Sequence, residues 1–176
     1  MRYWFTEIFR ELAKKDVKYV IVGGIAVNLL GVPRFTADID LVVALDSKNV
    51  LKFAKCMTAL GFRPKVPVKA EMFADPKNRR IWIEEKNMIV FSFWHPERPY
   101  EVVDVFLKEP IPFKDLWSKR EKVFLENIDI PVVSIDHLIK LKKQANRLQD
   151  LSDIEALKKL SRELNSEKKR HCKKRG

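Results

Sequence analysis

VGGIAVNLLGVPRFTADIDLVV, residues 22–43, is the stretch on which the fold turns. Just ahead of it, Val17 to Val22 is an apolar, β-branched run that reads as a buried strand. Gly23-Gly24 ends that strand. Two residues without side chains allow a tight turn and let a ligand approach the backbone. Ile25 to Leu30 has the length of a short helix, stopped by Gly31-Val32-Pro33. The free N–H groups at the start of such a helix favour an anion such as phosphate. Asp38 to Ala44 then reads as a second strand, on which alternation puts Asp38 and Asp40 on one side and Ile39 and Leu41 in the core. At a rise of about 3.3 Å per residue the two acidic Cα atoms stand roughly 6.6 Å apart. Two carboxylates on one face repel each other unless a cation lies between them. Hard oxygen donors of this kind suit Mg²⁺, which also binds substrate phosphates. Taken singly, a plain strand-to-helix turn accounts for the glycines, whereas for the acids a solvated strand face is the lesser reading beside a shared cation.

Outward from this segment, Arg2 to Lys15 carries Phe5, Ile8, Phe9 and Leu12 at the spacing of one helical face. Downstream, Ser47 is placed to cap a helix reaching about Leu60, with Gly61 as its stop. Residues 63–106 look strand-rich, with Arg79 to Glu84, Met88 to Trp94 and Glu101 to Phe106 as candidates, separated by turns at 85–87 and 95–99. The last of these holds Asp104 within Val102-Val103-Asp104-Val105-Phe106, where an unpaired charge is expensive. If that strand lies beside Asp38 to Leu41, three carboxylates converge. That is enough to hold two metal ions about 3.5–4 Å apart for an in-line phosphoryl transfer. Ile111 to Lys119 reads as a short helix, Val123 to Pro131 as extended, and Ser134 to Ala145 and Asp150 to Leu164 as closing helices. The order of elements indicates an α+β domain with a mixed β-sheet flanked by helices and a short C-terminal helical segment. The expected boundaries are 1–132 for the catalytic body, 133–165 for the helical segment packed on it, and 166–176 for a basic disordered tail.

The 176 residues, 46% hydrophobic and 34% charged, can bury a real core. The longest apolar run, Tyr19 to Val32, is too short for a bilayer and interrupted by Gly23, Gly24 and Asn28, so no membrane span and a cytoplasmic location are expected. Cys56 and Cys172 have neither metal-type spacing nor a disulfide pattern. The net charge is +11, and Glu167 to Gly176, with six Lys or Arg against one Glu, carries +5 of it. A basic body suits a polyanionic partner, and the tail suits either weak nucleic-acid contact or plain solvation.

Gly23-Gly24, thirteen intervening residues, Asp38-x-Asp40 and the later strand acid Asp104 together resemble the signature of DNA polymerase beta-like nucleotidyltransferases. The run Arg34-Phe35-Thr36-Ala37-Asp38-Ile39-Asp40 is similar to the small prokaryotic branch, with its minimal nucleotidyltransferases, aminoglycoside nucleotidyltransferases and abortive-infection toxins. Leu138 to Lys142 and Arg147 to Ile154 are similar to that branch's closing helices. The resemblance covers about Val17 to Leu160. It implies that Asp38 and Asp40 chelate two Mg²⁺ ions, and that Asp104 binds the catalytic ion and takes the proton of the attacking hydroxyl. It also implies that Gly23 and Gly24 cradle the triphosphate of an NTP, ATP being the expected one. Arg34 and Thr36 could contact phosphate or base, against a surface ion pair or loop brace for Arg34. Lys142 could face the nucleotide, against a solvated helix face.

The expected function is therefore Mg²⁺-dependent transfer of a nucleoside monophosphate from an NTP to a hydroxyl of RNA, a protein or a small molecule. The expected partners are a second subunit, a second copy or the antitoxin of a toxin–antitoxin pair. The alternative is a non-catalytic nucleic-acid-binding module on the same fold, although a polyanion binder gains nothing from three clustered acids. Asp150, with Asp153 three residues on, resembles a capping box at the start of the last helix, with Arg147 able to pair with either. His95 reads as a strand-ending structural residue and His137 as a helix-face residue. Leu151, Ile154, Leu157, Leu160 and Leu164 read as a packing stripe. A P-loop is excluded, since no GxxxxGK[ST] occurs.

Overall fold

A computed structural model of the chain describes residues 4–173. Arg2, at the expected start of the first helix, lies outside that range, as do Lys174, Arg175 and Gly176 of the basic tail and the side chains of His171 and Cys172. The amphipathic N-terminal segment forms α1 (Thr6–Lys14) and buries Ile8, Phe9 and Leu12, with Phe5 just ahead of it. β1 (Tyr19–Val22) is buried along its whole length. It runs into α2 (Gly23–Leu29), and the chain returns through an extended loop to β2 (Ile39–Val43). α3 (Ser47–Ala59) follows. Its cap is Asp46, whose side chain accepts from Asn49 N–H, rather than the expected Ser47.

The largest departure from the sequence expectation lies at residues 79–84. These belong to a helix, α4 (Pro76–Lys86), preceded by β3 (Arg63–Pro64) and a 3₁₀ turn (Ala70–Ala74). Asp75 accepts from Lys77 N–H at 2.8 Å, Pro76 occupies the first turn, and Asn87 closes the helix in the left-handed region. Strand alternation would have put Ile81 and Ile83 on one face. The helix instead packs Trp82 and Ile83 on the core and leaves Ile81 exposed.

β4 (Val90–His95) and β5 (Arg98–Phe106) form a hairpin, and α5 (Phe113–Ser118) precedes β6 (Glu121–Leu125) and β7 (Ile128–Val132). The last two strands were expected as one extended run. Glu126 and Asn127, both at positive φ, divide them with a two-residue turn. The seven strands form one mixed sheet in the order β3-β4-β5-β2-β1-β7-β6. β1 is antiparallel to β2 and parallel to β7, while β2 is parallel to β5. The centre of the sheet is thus the junction of β5, β2 and β1.

α6 (Ile135–Ala145), capped by Ser134, packs against α7 (Leu148–Lys173). α7 runs well past the expected stop near Leu164, so Ser166 to Lys173 of the basic tail continue the helix. Of the apolar stripe expected there, Ile154 and Leu157 are buried, whereas Leu151 and Leu164 are exposed. No helix among the described residues is long and apolar enough to cross a membrane.

Candidate active site

Register decides which acids meet. β2 and β5 pair Ile39 with Val103, Asp40 with Asp104 and Leu41 with Val105. The two acids are therefore direct neighbours across a parallel pair, about 4.8 Å apart at the backbone. The apolar residues on either side of each face the core. Asp38, exposed, stands one residue ahead of β2. Among the described residues, no group of three or more His, Cys, Asp or Glu side chains is spaced to hold a metal ion as it stands.

The glycine pair has a specific steric purpose. Gly23 sits at φ +65, and a Cβ built on it would stand 1.9 Å from Asp40 Oδ2. The Asp40 carboxylate lies on the space where a side chain would be, so only glycine fits there. A Cβ on Gly24 would lie 2.5 Å from Thr36 Oγ1 and 3.0 Å from Arg34 Nη1. The backbone N–H of Gly24 donates to Asp40. The pair thus admits the chain's own acid, hydroxyl and guanidinium to the backbone at the end of β1.

Burial and like charge shape the electrostatics. Desolvation, reinforced by the charges of Asp104 and Asp38, pushes the Asp40 carboxyl up to about 6; Arg147 and the Gly24 N–H oppose the rise. Desolvation and Asp104 also raise Asp38, with Lys65 opposing. Asp104 Oδ1 is buried with no hydrogen-bond partner among the described residues. An orphaned carboxylate oxygen close to two further carboxylates is a set of hard oxygen donors that Arg147 and Lys65 offset only through their field, with no hydrogen bond to Asp104 Oδ1 among the described residues.

The loop between α2 and β2 is pinned to the C-terminal helices. Asn28 Oδ1 accepts from Arg34 N–H at 2.6 Å, and Arg34 Nη1 donates to Asp153 Oδ2 at 2.8 Å. Lys142, only 4% exposed, donates from Nζ to Asp150 Oδ1 at 3.0 Å and to Asp153 Oδ2 at 2.6 Å. Asp150 Oδ2 accepts from Arg147 N–H. Of the residues expected at the site, Gly23, Gly24, Thr36, Asp40 and Asp104 are brought together, and Arg34 lies beside them. Lys142 does not open toward a nucleotide, because its ammonium is engaged by two buried carboxylates. Asp153 is not half of a capping box, since Lys142 and Arg34 hold it. His95 is a structural residue, buried edge-on against Phe62 with Nδ1 accepting from Glu97 N–H.

Two cations acting on the acids escaped the sequence reading. Arg147 reaches the field of Asp40 from the α6–α7 corner, and Lys65 reaches Asp38 from the end of β3. Each is exposed and far from the acids along the chain. No local pattern marks either one.

The sequence matches no protein-family model and no curated protein. Solved structures do resemble it. The lincosamide antibiotic adenylyltransferase LnuA, solved with lincomycin bound, is 18% identical with a TM-score of 0.58, over 87% of this chain and 93% of that one. ANT(2″)-Ia, solved with adenylyl-2″-tobramycin, is 13% identical with a TM-score of 0.54, over 92% and 94%. An antigenic nucleotidyltransferase-like protein from Paracoccidioides brasiliensis is 17% identical with a TM-score of 0.53, over 86% and 72%. The chain has the nucleotidyltransferase fold.

Proposed function

We propose that this protein is a Mg²⁺-dependent nucleotidyltransferase that moves a nucleoside monophosphate from an NTP to a hydroxyl acceptor. The observation that carries the reading is Asp104 Oδ1, buried and unpartnered opposite Asp40 on the adjacent strand. A buried carboxylate oxygen with no partner costs free energy that folding alone does not recover, so it points to a ligand. Asp38, Asp40 and Asp104 would hold the metal, which when bound neutralises phosphate charge and acidifies the attacking hydroxyl.

The chain's own residues then have distinct tasks. The Asp104 carboxylate takes the proton of the acceptor hydroxyl. The acceptor oxygen bonds to the α-phosphorus as the bond to the bridging oxygen breaks, and pyrophosphate leaves. Gly23 and Gly24 let Asp40, the Thr36 hydroxyl and Arg34 lie against the backbone at the end of β1, and the reacting phosphates would be cradled at that turn, with Thr36 as a donor. Arg34 and Arg147 contribute positive charge on the two sides of the acids. Such chemistry consists mainly of positioning and electrostatics and requires no nucleophilic Cys, Ser or His. ATP is the nucleotide we favour, and a small molecule carrying a hydroxyl is the acceptor class, in keeping with the antibiotics named for two of the similar structures.

The test is incubation with each labelled NTP, Mg²⁺ and a cell extract. Label should appear in an acceptor and vanish with Asp40→Ala. Absence of label from every NTP, or equal labelling by Asp40→Ala, overturns the reading.

A further inference from the structure

Resting on that reading, we infer that Asp153 is a positioning residue: together with Lys142 it holds Arg34 over Gly24 so that the guanidinium meets the nucleotide's phosphates. Three facts carry this. First, Asp153 Oδ2 is shared by Lys142 Nζ and Arg34 Nη1, joining α6, α7 and the 31–38 loop at a single oxygen. Second, the charges close only with Arg34 included. Asp150 and Asp153 are 7% and 5% exposed, and Lys142 neutralises one of them. Without Arg34, one buried carboxylate would stand uncompensated. Third, Arg34 is not used up by the pair. Its Nε has no partner among the described residues, and Nη1, which spends one of its two N–H groups on Asp153, lies 3.0 Å from where a Gly24 Cβ would stand. A guanidinium has five donors in a planar fork, which suits phosphate oxygens.

The arrangement accounts for an otherwise wasteful feature. Buried ion clusters hold elements together less well than apolar packing of the same volume. A cluster is worth building where a cation must be kept at one place and in one orientation. Loop 31–38 has no helix or strand of its own, yet it carries Arg34, Thr36 and Asp38. Asp153 supplies, from the far end of the sequence, the rigidity that the loop lacks. In this role Lys142 acts through Asp153 and has no need to touch substrate.

The test is a double-mutant cycle read by calorimetric titration with each of the four common ribonucleoside triphosphates and Mg²⁺. It uses the full chain as wild type, Arg34→Gln, Asp153→Asn and the double variant, each with its melting curve. Arg34→Gln and Asp153→Asn should each weaken binding by about tenfold or more, and the double variant should be no weaker than the worse single one. A merely structural Asp153 would lower the melting temperature while the folded variant binds like wild type, and that result overturns the inference. Losses that multiply in the double variant, or an Arg34→Gln that binds normally, overturn it as well. If Asp153→Asn does not fold, Asp153→Glu takes its place, keeping the charge and displacing the carboxylate by one methylene. Binding by wild type with a failed cycle leaves the proposed function standing; no binding of any NTP by wild type removes both.

Discussion

At Gly23, one missing side chain makes room for another residue's carboxylate. The positive φ and the 1.9 Å approach of Asp40 Oδ2 to the would-be Cβ are two independent demands for glycine. Gly23→Ala should therefore move the Asp40 carboxylate by an ångström or more. The expected outcome is a loss of transferase activity of about a hundredfold or more, the usual penalty for misplacing a catalytic group by that distance. Folding should suffer less, by somewhat more than ~1 kcal/mol, the cost of forcing alanine into the left-handed region. Labelling rates and melting curves of the purified variant check both, and activity within threefold of wild type would refute the steric account.

Elements in this fold are set by their ends as much as by their interiors. α4 exists because Asp75 and Pro76 start it and Asn87 stops it, although its interior, Arg79-Arg80-Ile81-Trp82-Ile83, carries the alternation of a strand. Inside the helix, Arg79 is buried and donates to Phe73 O and Leu45 O, tying α4 to the 3₁₀ turn and to the exit of β2. Asp75→Ala should cost about 1 kcal/mol of stability, the typical worth of an N-cap side chain. Chemical denaturation measures it. A change below about 0.3 kcal/mol would mean that α4 is held by its packing alone.

For the whole molecule, the centre of the sheet bears an electrostatic load. In the ion-free chain Asp40 titrates at about 6, against an ordinary value of 3.8. Between those values the folded chain holds a proton that the unfolded chain has lost, so Asp40's contribution to stability falls as pH rises through that window and returns on acidification. Asp38 is shifted in the same direction. Other carboxylates oppose this trend, so the clean readout is the difference between wild type and Asp40→Asn. Wild type should lose melting temperature relative to Asp40→Asn as pH is raised from 5 to 7.5 without metal, and added Mg²⁺ should close the gap at pH 7.5. Below about pH 6 the Mg²⁺ effect should fade as the carboxylate protonates. Parallel pH profiles for the two proteins would contradict the burial of charge at this site.

Much of this was legible in residues 22–43. A β-branched run, two glycines and alternating acids within an apolar strand are local signals, because strand period and glycine's missing Cβ act over neighbouring residues. They pointed to the β1–α2–β2 unit and to Asp38 and Asp40 as a pair, although the strand starts only at Ile39 and leaves Asp38 in the loop, and the same kind of signal, a charge within an apolar strand, singled out Asp104. Local signals failed where two patterns competed, as at α4, and where a turn lacked glycine, as at Glu126-Asn127. Only the tertiary structure decided that Asp40 sits opposite Asp104, since register between strands so distant in sequence is set by how the whole sheet packs. It alone turned Lys142 inward to Asp150 and Asp153 and drew Arg34 to them. Ion pairs are chosen by proximity in space, because a buried charge must find its partner wherever the fold brings one.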